Sequence, residues 1–351
     1  MTDWFATRVL AWAREHGRVD LPWQHNRTPY RVWVSEVMLQ QTQVHTTISY
    51  FERFIATFPS VADLASASLD EVLQMWSGLG YYRRARLLHR TAQLLEAEHD
   101  GALPDSFNDL IALPGVGRST AGAILASGFD KRGVVLDGNV KRVLARVHAV
   151  EGEPNRSVTL KALWAHADTH TPEQHCADYV QAIVDFGALC CTKTDPKCHH
   201  CPLREHCRAQ LEGRVGELPQ RAKRNKPREE AIYFLLVMDG TERLLLEQQP
   251  AEGLFGSMWL PPRRSKTRSL HADIEKLGFT KEELESTSEL EPFIHELSHI
   301  RFHVHAHMVR LTSRQNAKPQ QVNVAWFDLR ENQAMGLAGL TRKLIKQTQT
   351  L

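Results

Sequence analysis

Four cysteines crowd into one short stretch, Cys191, Cys198, Cys201 and Cys207, with six, two and five residues between them. The chain has six cysteines in all, so the grouping is not a compositional accident. Thiolates this close in sequence can converge on one metal centre, and as soft ligands they select zinc or an iron–sulfur cluster. Zinc modules usually show two tight pairs. Only Cys198 and Cys201 make one here, so spacing leaves zinc and a four-iron cluster both open. Cys176 and Cys190 read as small buried apolar residues. Two carboxylates are the other candidates for chemistry. Glu36 lies in the run WVSEVMLQQT among apolar neighbours. Desolvation there raises a carboxyl pKa and equips it to hold a proton near neutrality, although the polar edge of a helix is the plainer reading. Asp137 closes the apolar run VVLD ahead of a helical segment, a position that suits an N-cap as well as catalysis. Sequence does not show that the two carboxylates meet.

A string of capped helices must position these groups. The segment MTDWFATRVLAWAREHG has apolar residues at helical spacing and lacks the layout of a secretion signal. No apolar run reaches the length of a membrane span. The expectation is a soluble protein of a reducing compartment, which makes disulfides a weak reading. Ser68 to Glu71 has the arrangement of a capping box, and Gly78-Leu79-Gly80 stops that helix. Tyr81, Tyr82, Arg83, Arg84 and Arg86 follow; interleaved rings and cations suit bases and phosphates, or simply a solvated helix start. Ser106 opens a short helix that ends at Leu113-Pro114-Gly115-Val116-Gly117, and a second helix begins at Arg118. Gly115 and Gly117 allow a tight turn that leaves amides free for a DNA phosphate, so a helix-hairpin-helix is preferred to an ordinary turn.

The chain has 351 residues, enough for two domains, and a net charge of +2, which by itself says little about partners. Composition shifts at 213–230, GRVGELPQRAKRNKPREE, which reads as an interdomain linker. Helical patterns precede it and strand patterns follow. IYFLLVM, Asp239-Gly240 and LLLEQ predict a hairpin. A helix is expected around 269–277, a strand from Ile300 to Met308 with alternate residues buried, another strand over Val322 to Leu329, and a last helix over 340–348.

Hairpin, aspartate and four-cysteine loop, in that order, resemble the iron–sulfur branch of the helix-hairpin-helix DNA glycosylase superfamily. SEVMLQQTQV (35–44), GLGYY (78–82), LPGVGRSTAGAIL (113–125) and LDGNVKRVLAR (136–146) narrow the resemblance to MutY-type adenine DNA glycosylases. The residues after 230 are similar to the Nudix-like domain of that family. The resemblance implies a mainly α catalytic region over 1–212, with the helix-hairpin-helix at 106–125 and a cluster loop at 191–207. It also implies an α+β Nudix-like domain over 231–351 that recognises 8-oxoguanine. It settles the metal as one [4Fe-4S] cluster on Cys191, Cys198, Cys201 and Cys207, in a loop whose Lys193 and Lys197 meet the DNA backbone.

The implied reaction is removal of adenine mispaired with 8-oxoguanine or guanine in double-stranded DNA. Glu36 is then the general acid, Asp137 stabilises the sugar cation, and Asn139 orients the site. Gln41 and Tyr81 wedge into the stack, helped by Leu39 and Gln40. Gly115, Gly117, Ser119 and Lys141 contact DNA, and Ser298 and His299 probe the opposite base. The F-S-H loop of the family here carries Leu297 in place of the ring. Bifunctional relatives carry a Schiff-base lysine where this chain has Ser119, so little lyase activity is expected. The carboxylate signature of Nudix hydrolases is absent from the sequence, so no pyrophosphatase is expected. His303, His305 and His307 read as an open strand surface or a metal site. A monomer acting in the bacterial cytoplasm, at the nucleoid through its DNA, completes the expectation. The alternatives are a pyrimidine-damage glycosylase/lyase of the same superfamily and a DNA-binding iron–sulfur protein without chemistry.

Overall fold

A computed structural model describes residues 3–220, 226–266, 268–312, 323–331 and 333–348. The chain divides into two compact units, residues 1–66 with 87–223 and residues 67–86 with 224–351. Residues 67–86 group with the later unit, a departure from a simple division at 213–230 that local sequence does not signal.

The first unit is helical among its described residues. It contains α1 (Trp4–His16), α2 (Pro29–Leu39), α3 (Val44–Thr57) and α4 (Val61–Ser66). After the break come α7 (Phe107–Ala112), α8 (Arg118–Ala123), α9 (Gly138–Val147), α10 (Ser157–His170), α11 (Cys176–Leu189) and α12 (Arg208–Leu211). Asp3 caps α1 by accepting from Ala6 N at 3.2 Å, which lets Phe5, Ala6 and Val9 pack into a core shared with α9, α10 and α11. The turn after α1 is clamped to α11: Arg18 donates to buried Asp185 through its backbone N and its Nε, both at 2.8 Å. The expected linker is not loose at its start. Leu218 is buried, and Arg146 of α9 donates to the carbonyls of Val215 and Leu218.

The second unit holds α5 (Leu69–Trp76), whose N-terminus is the predicted capping box: Glu71 accepts from Ser68 N, and Ser68 Oγ accepts from Glu71 N. Helix α6 (Arg83–Glu98) starts here. The sheet comprises β1 (Arg228–Met238), β2 (Arg243–Gln248), β3 (Trp259–Leu260), β4 (Leu284–Glu289), β5 (Phe293–Glu296), β6 (Ile300–Leu311) and β7 (Val324–Asp328). Its order is β3-β2-β1-β6-β4, with β5 also on β6 and β7 on β2. The central pair, β1 and β6, is parallel from Arg228↔Ile300 to Met238↔Arg310. Such a pair is covered on both faces: one face packs on α14 (Gly339–Thr348), the other in part on α13 (Leu270–Lys276). The predicted hairpin forms, but not as a two-residue Asp-Gly turn. Asp239 accepts from the backbone of Thr241 and Arg243, and the left-handed φ falls on Glu242 at 62°. A carboxylate that can satisfy two amides makes the wider turn competitive. Val322 of the expected last strand lies outside the described residues; β7 begins at Val324.

Candidate active site

Helix α2 begins under a Thr28 cap with Pro29 at its first position and buries Tyr30, Val32, Trp33, Val34, Val37 and Met38. Glu36 shares this crowded helix and is half-buried. No described residue donates a hydrogen bond to its carboxylate. Desolvation pushes its pKa up to about 7, and the negative charge of Asp137 pushes in the same direction. The two carboxylates that sequence could not connect therefore feel each other.

Asp137 is the N-cap of α9, so the structural and catalytic readings of this residue are compatible. Its Oδ1 accepts from Val140 N at 2.8 Å and its Oδ2 from Asn139 Nδ2 at 3.1 Å. Burial raises its pKa, while the Val140 and Asn139 donors and the nearby Arg142 charge pull it back. The asymmetry assigns the proton. Around Glu36 both burial and the Asp137 charge favour the neutral form, whereas Asp137 has donors aimed at its anion.

The hairpin is built as expected. Gly115 has φ 79°, and a Cβ there would lie 2.9 Å from Leu87 Cβ. Gly117 caps α8 with nothing within 4 Å of where its Cβ would be. Helix α8 then runs into a π turn over Ile124–Gly128. Ser119 faces inward, and its Oγ accepts from Leu136 N at 3.0 Å, beside Asp137. Lys141 donates to Asn155 Oδ1 at 2.8 Å. Gln40 is the C-cap of α2 and reaches Thr120 Oγ1 at 3.4 Å. Gln41 (φ 61°) and Tyr81 (φ 51°), each in its own unit, are exposed and left-handed, a conformation that costs a non-glycine residue about 1–3 kcal/mol. In the second unit, Ser298 and His299 are exposed, whereas Leu297 packs half-buried on the core. The strand histidines are engaged separately: His303 with Glu229 at 2.6 Å, His305 stacked on Tyr233, His307 with Arg264.

The four cysteines line one small pocket together with Cys190, Arg146 and Phe186. All six cysteines are free thiols. Among the described residues, no three histidine, cysteine, aspartate or glutamate side chains converge closely enough to hold a single metal ion. Charge suits a thiolate-ligated cluster at this place. Arg146 is 3 % exposed and has no carboxylate partner among the described residues. Its Nη1 donates to Thr192 O at 2.7 Å and to Cys191 Sγ at 3.3 Å. A buried guanidinium calls for an anion, and a thiolate-ligated cluster supplies one.

Two arginines that motif reading passed over hold this loop to α9, and one of them, Arg142, links it to Asp137. Arg142 donates to Cys191 O (2.8 Å), Gly187 O (2.7 Å) and Asn139 Oδ1 (2.9 Å), and Asn139 in turn donates to Asp137. The detectable signal was their spacing: Asn139, Arg142 and Arg146 share one face of α9, and Arg146 sits in an apolar run. Helix α11 closes on the same point, where a Cβ at Gly187 would lie 2.7 Å from Asn139 Cβ and 3.0 Å from its backbone. Gly187→Ala is expected to lower stability by about 1–3 kcal/mol and to shift Asn139, lowering single-turnover base release more than tenfold, on the principle that overpacking moves backbone. An unchanged rate would refute this coupling.

Residues 34–167 match the model of the HhH-GPD superfamily base excision DNA repair proteins, and residues 233–347 that of the NUDIX domain. The chain is 34% identical over 343 residues to an adenine DNA glycosylase of Buchnera aphidicola (subsp. Baizongia pistaciae), covering 97% of this chain and 95% of that one. To the adenine DNA glycosylase of Rattus norvegicus it is 33% identical, covering 97% and 77%. Among solved structures, a thermostable thymine-DNA glycosylase superposes with a TM-score of 0.55 at 27% identity, covering 59% of this chain and 95% of that one.

Proposed function

Since the chain belongs to the adenine DNA glycosylases of base-excision repair, we propose that it hydrolyses the N-glycosidic bond of adenine mispaired with 8-oxoguanine or guanine and stops at the abasic product. The observation that carries this reading is Glu36, held to a pKa of about 7 beside Asp137. A base inside a duplex must first be flipped out, at a cost of a few kcal/mol. Adenine leaves poorly as an anion. Glu36 donates its proton to N7, and its carboxylate then takes a proton from the incoming water. Asp137 stands against the positive charge that develops on the sugar, with Asn139 fixing its orientation.

Absence of strand cleavage follows from Ser119, whose hydroxyl cannot form an imine with the sugar aldehyde and whose oxygen is engaged by Leu136 N. Gln40, Gln41 and Tyr81 prop the gap left by the flipped nucleotide, and Ser298 and His299 contact the opposite base. Cys191, Cys198, Cys201 and Cys207 hold a [4Fe-4S] cluster, which braces the loop bearing Lys193 and Lys197. The protein acts as a monomer in the bacterial cytoplasm. Among the described residues no helix is long and apolar enough to cross a membrane.

Single-turnover adenine release from an A:8-oxoguanine duplex, with and without alkali afterwards, tests the reading. Cleavage only after alkali is expected. Cleavage without alkali would mean a lyase, and no release from folded protein would favour a binding protein or another damaged base. The pH profile follows from the Glu36 value: release should fall roughly tenfold per unit above about pH 7, because only the protonated acid serves. A rate that stays level from about pH 6 to about pH 9 would remove Glu36 from the acid role.

A further inference from the structure

Arg118 opens α8 immediately after the hairpin, where a cation faces the positive end of the helix and is disfavoured. Something else must hold it there. Its guanidinium carbon lies 3.9 Å from the ring centroid of Trp164 on α10. That tryptophan is half-buried and packs on the core formed by α9, α10 and α11, so it is a fixed platform. Stacking occupies the face of the guanidinium and leaves its five in-plane N–H donors unused. Arg118 is exposed, and no described residue accepts a hydrogen bond from it. The next residue, Ser119, binds the backbone one position before Asp137. Arg118 therefore stands one residue from the side chain that fixes the segment leading into Asp137.

We propose that Trp164 is a positioning residue that presents Arg118, through cation–π stacking, to a backbone phosphate of the bound duplex. The proposal rests on the DNA glycosylase reading above. The pairing explains why a planar, delocalised cation occupies this position: lysine could reach a phosphate but could not keep the flat stack. It also separates neighbouring tasks, with Ser119 facing the catalytic segment and Arg118 facing the DNA.

The test is a double-mutant cycle on the full-length protein, reading affinity for a non-cleavable duplex by fluorescence anisotropy across a salt series. Arg118→Gln is expected to weaken binding several-fold and to flatten the slope of log K against log salt by about 0.9, the signature of one lost phosphate contact. Trp164→Leu should weaken binding less. The double variant should bind no more weakly than Arg118→Gln alone, because the platform has nothing left to present. Trp164→Phe, which keeps a smaller ring and less risk to folding, should fall between wild type and Trp164→Leu. An unchanged salt slope in Arg118→Gln, or losses that multiply in the double variant, would overturn the proposal. Wild-type protein that fails to bind duplex at all would instead bring down the glycosylase reading beneath it.

Discussion

Glu36→Gln is expected to reduce adenine release by about 10²–10⁴-fold, the usual contribution of a positioned general acid, while making the protein more stable. The two effects share one cause. In the native state the Glu36 pKa is raised from 4.5 to about 7, so the folded protein holds a proton that the unfolded chain releases. Stability associated with that proton is fully present below about pH 4.5 and is lost as pH rises through 7. At pH 8 the native state carries a poorly solvated anion facing Asp137, which glutamine removes. At 1.36 kcal/mol per unit, the gain is on the order of 3 kcal/mol. Thermal melts of both proteins at pH 5 and pH 8 check this, with the gap opening only at the higher pH. Equal melting temperatures at pH 8 would mean that Glu36 is not held in a desolvated state. Asp137→Asn should also abolish release, with any stability gain offset by the donors of Val140 and Asn139 that are aimed at its anion.

Arg146→Met is expected to be the most damaging single change away from the carboxylates. The substitution keeps the aliphatic stem and removes the donors that Val215 O, Leu218 O, Thr192 O and Cys191 Sγ share. Breaking a buried charged group out of its partners costs about 3–5 kcal/mol, and the acceptors left behind have no water to replace it. The variant should melt markedly lower and purify with less of the yellow-brown colour of an iron–sulfur cluster. Base release should fall with the colour, since α9 carries Asp137 at one end and Arg146 near the other. Wild-type melting and full colour in this variant would show that the loop stands without its guanidinium. A colourless, zinc-loaded wild-type protein prepared anaerobically would contradict the cluster itself.

Much of this was legible in the chain because the informative signals are local. Caps at Ser68, Ser106 and Asp137, the glycine turn at Gly115 and the cysteine spacing all act within a few residues. What escaped depends on through-space neighbours. The Glu36–Asp137 coupling, the Arg142 link from Cys191 to Asn139 and the Gly187 contact join segments dozens of residues apart. The left-handed backbone at Gln41 and Tyr81 is held against local preference, so no propensity could announce it. The Asp239 turn departed from the two-residue form because a side chain, not a glycine, satisfied the amides.

Residues 67–86 also bear on how the protein is made. Asp70 Oδ1 accepts from Trp259 Nε1 at 2.9 Å and from Gly336 N at 3.0 Å, and Leu73 lies against Gly336. The first of these pairs is separated by 189 residues. At the usual pace of about 5–20 residues per second, a ribosome needs roughly 10–40 s to cover that distance. For that interval α5 has emerged without the partner that packs on Leu73, so the nascent chain presents an apolar helix face to chaperones and to its neighbours. The same arrangement sets a rule for recombination between relatives: a single crossover near residue 225 would pair α5 from one parent with the sheet of another, and only exchanges that carry 67–86 along with the sheet would keep the match.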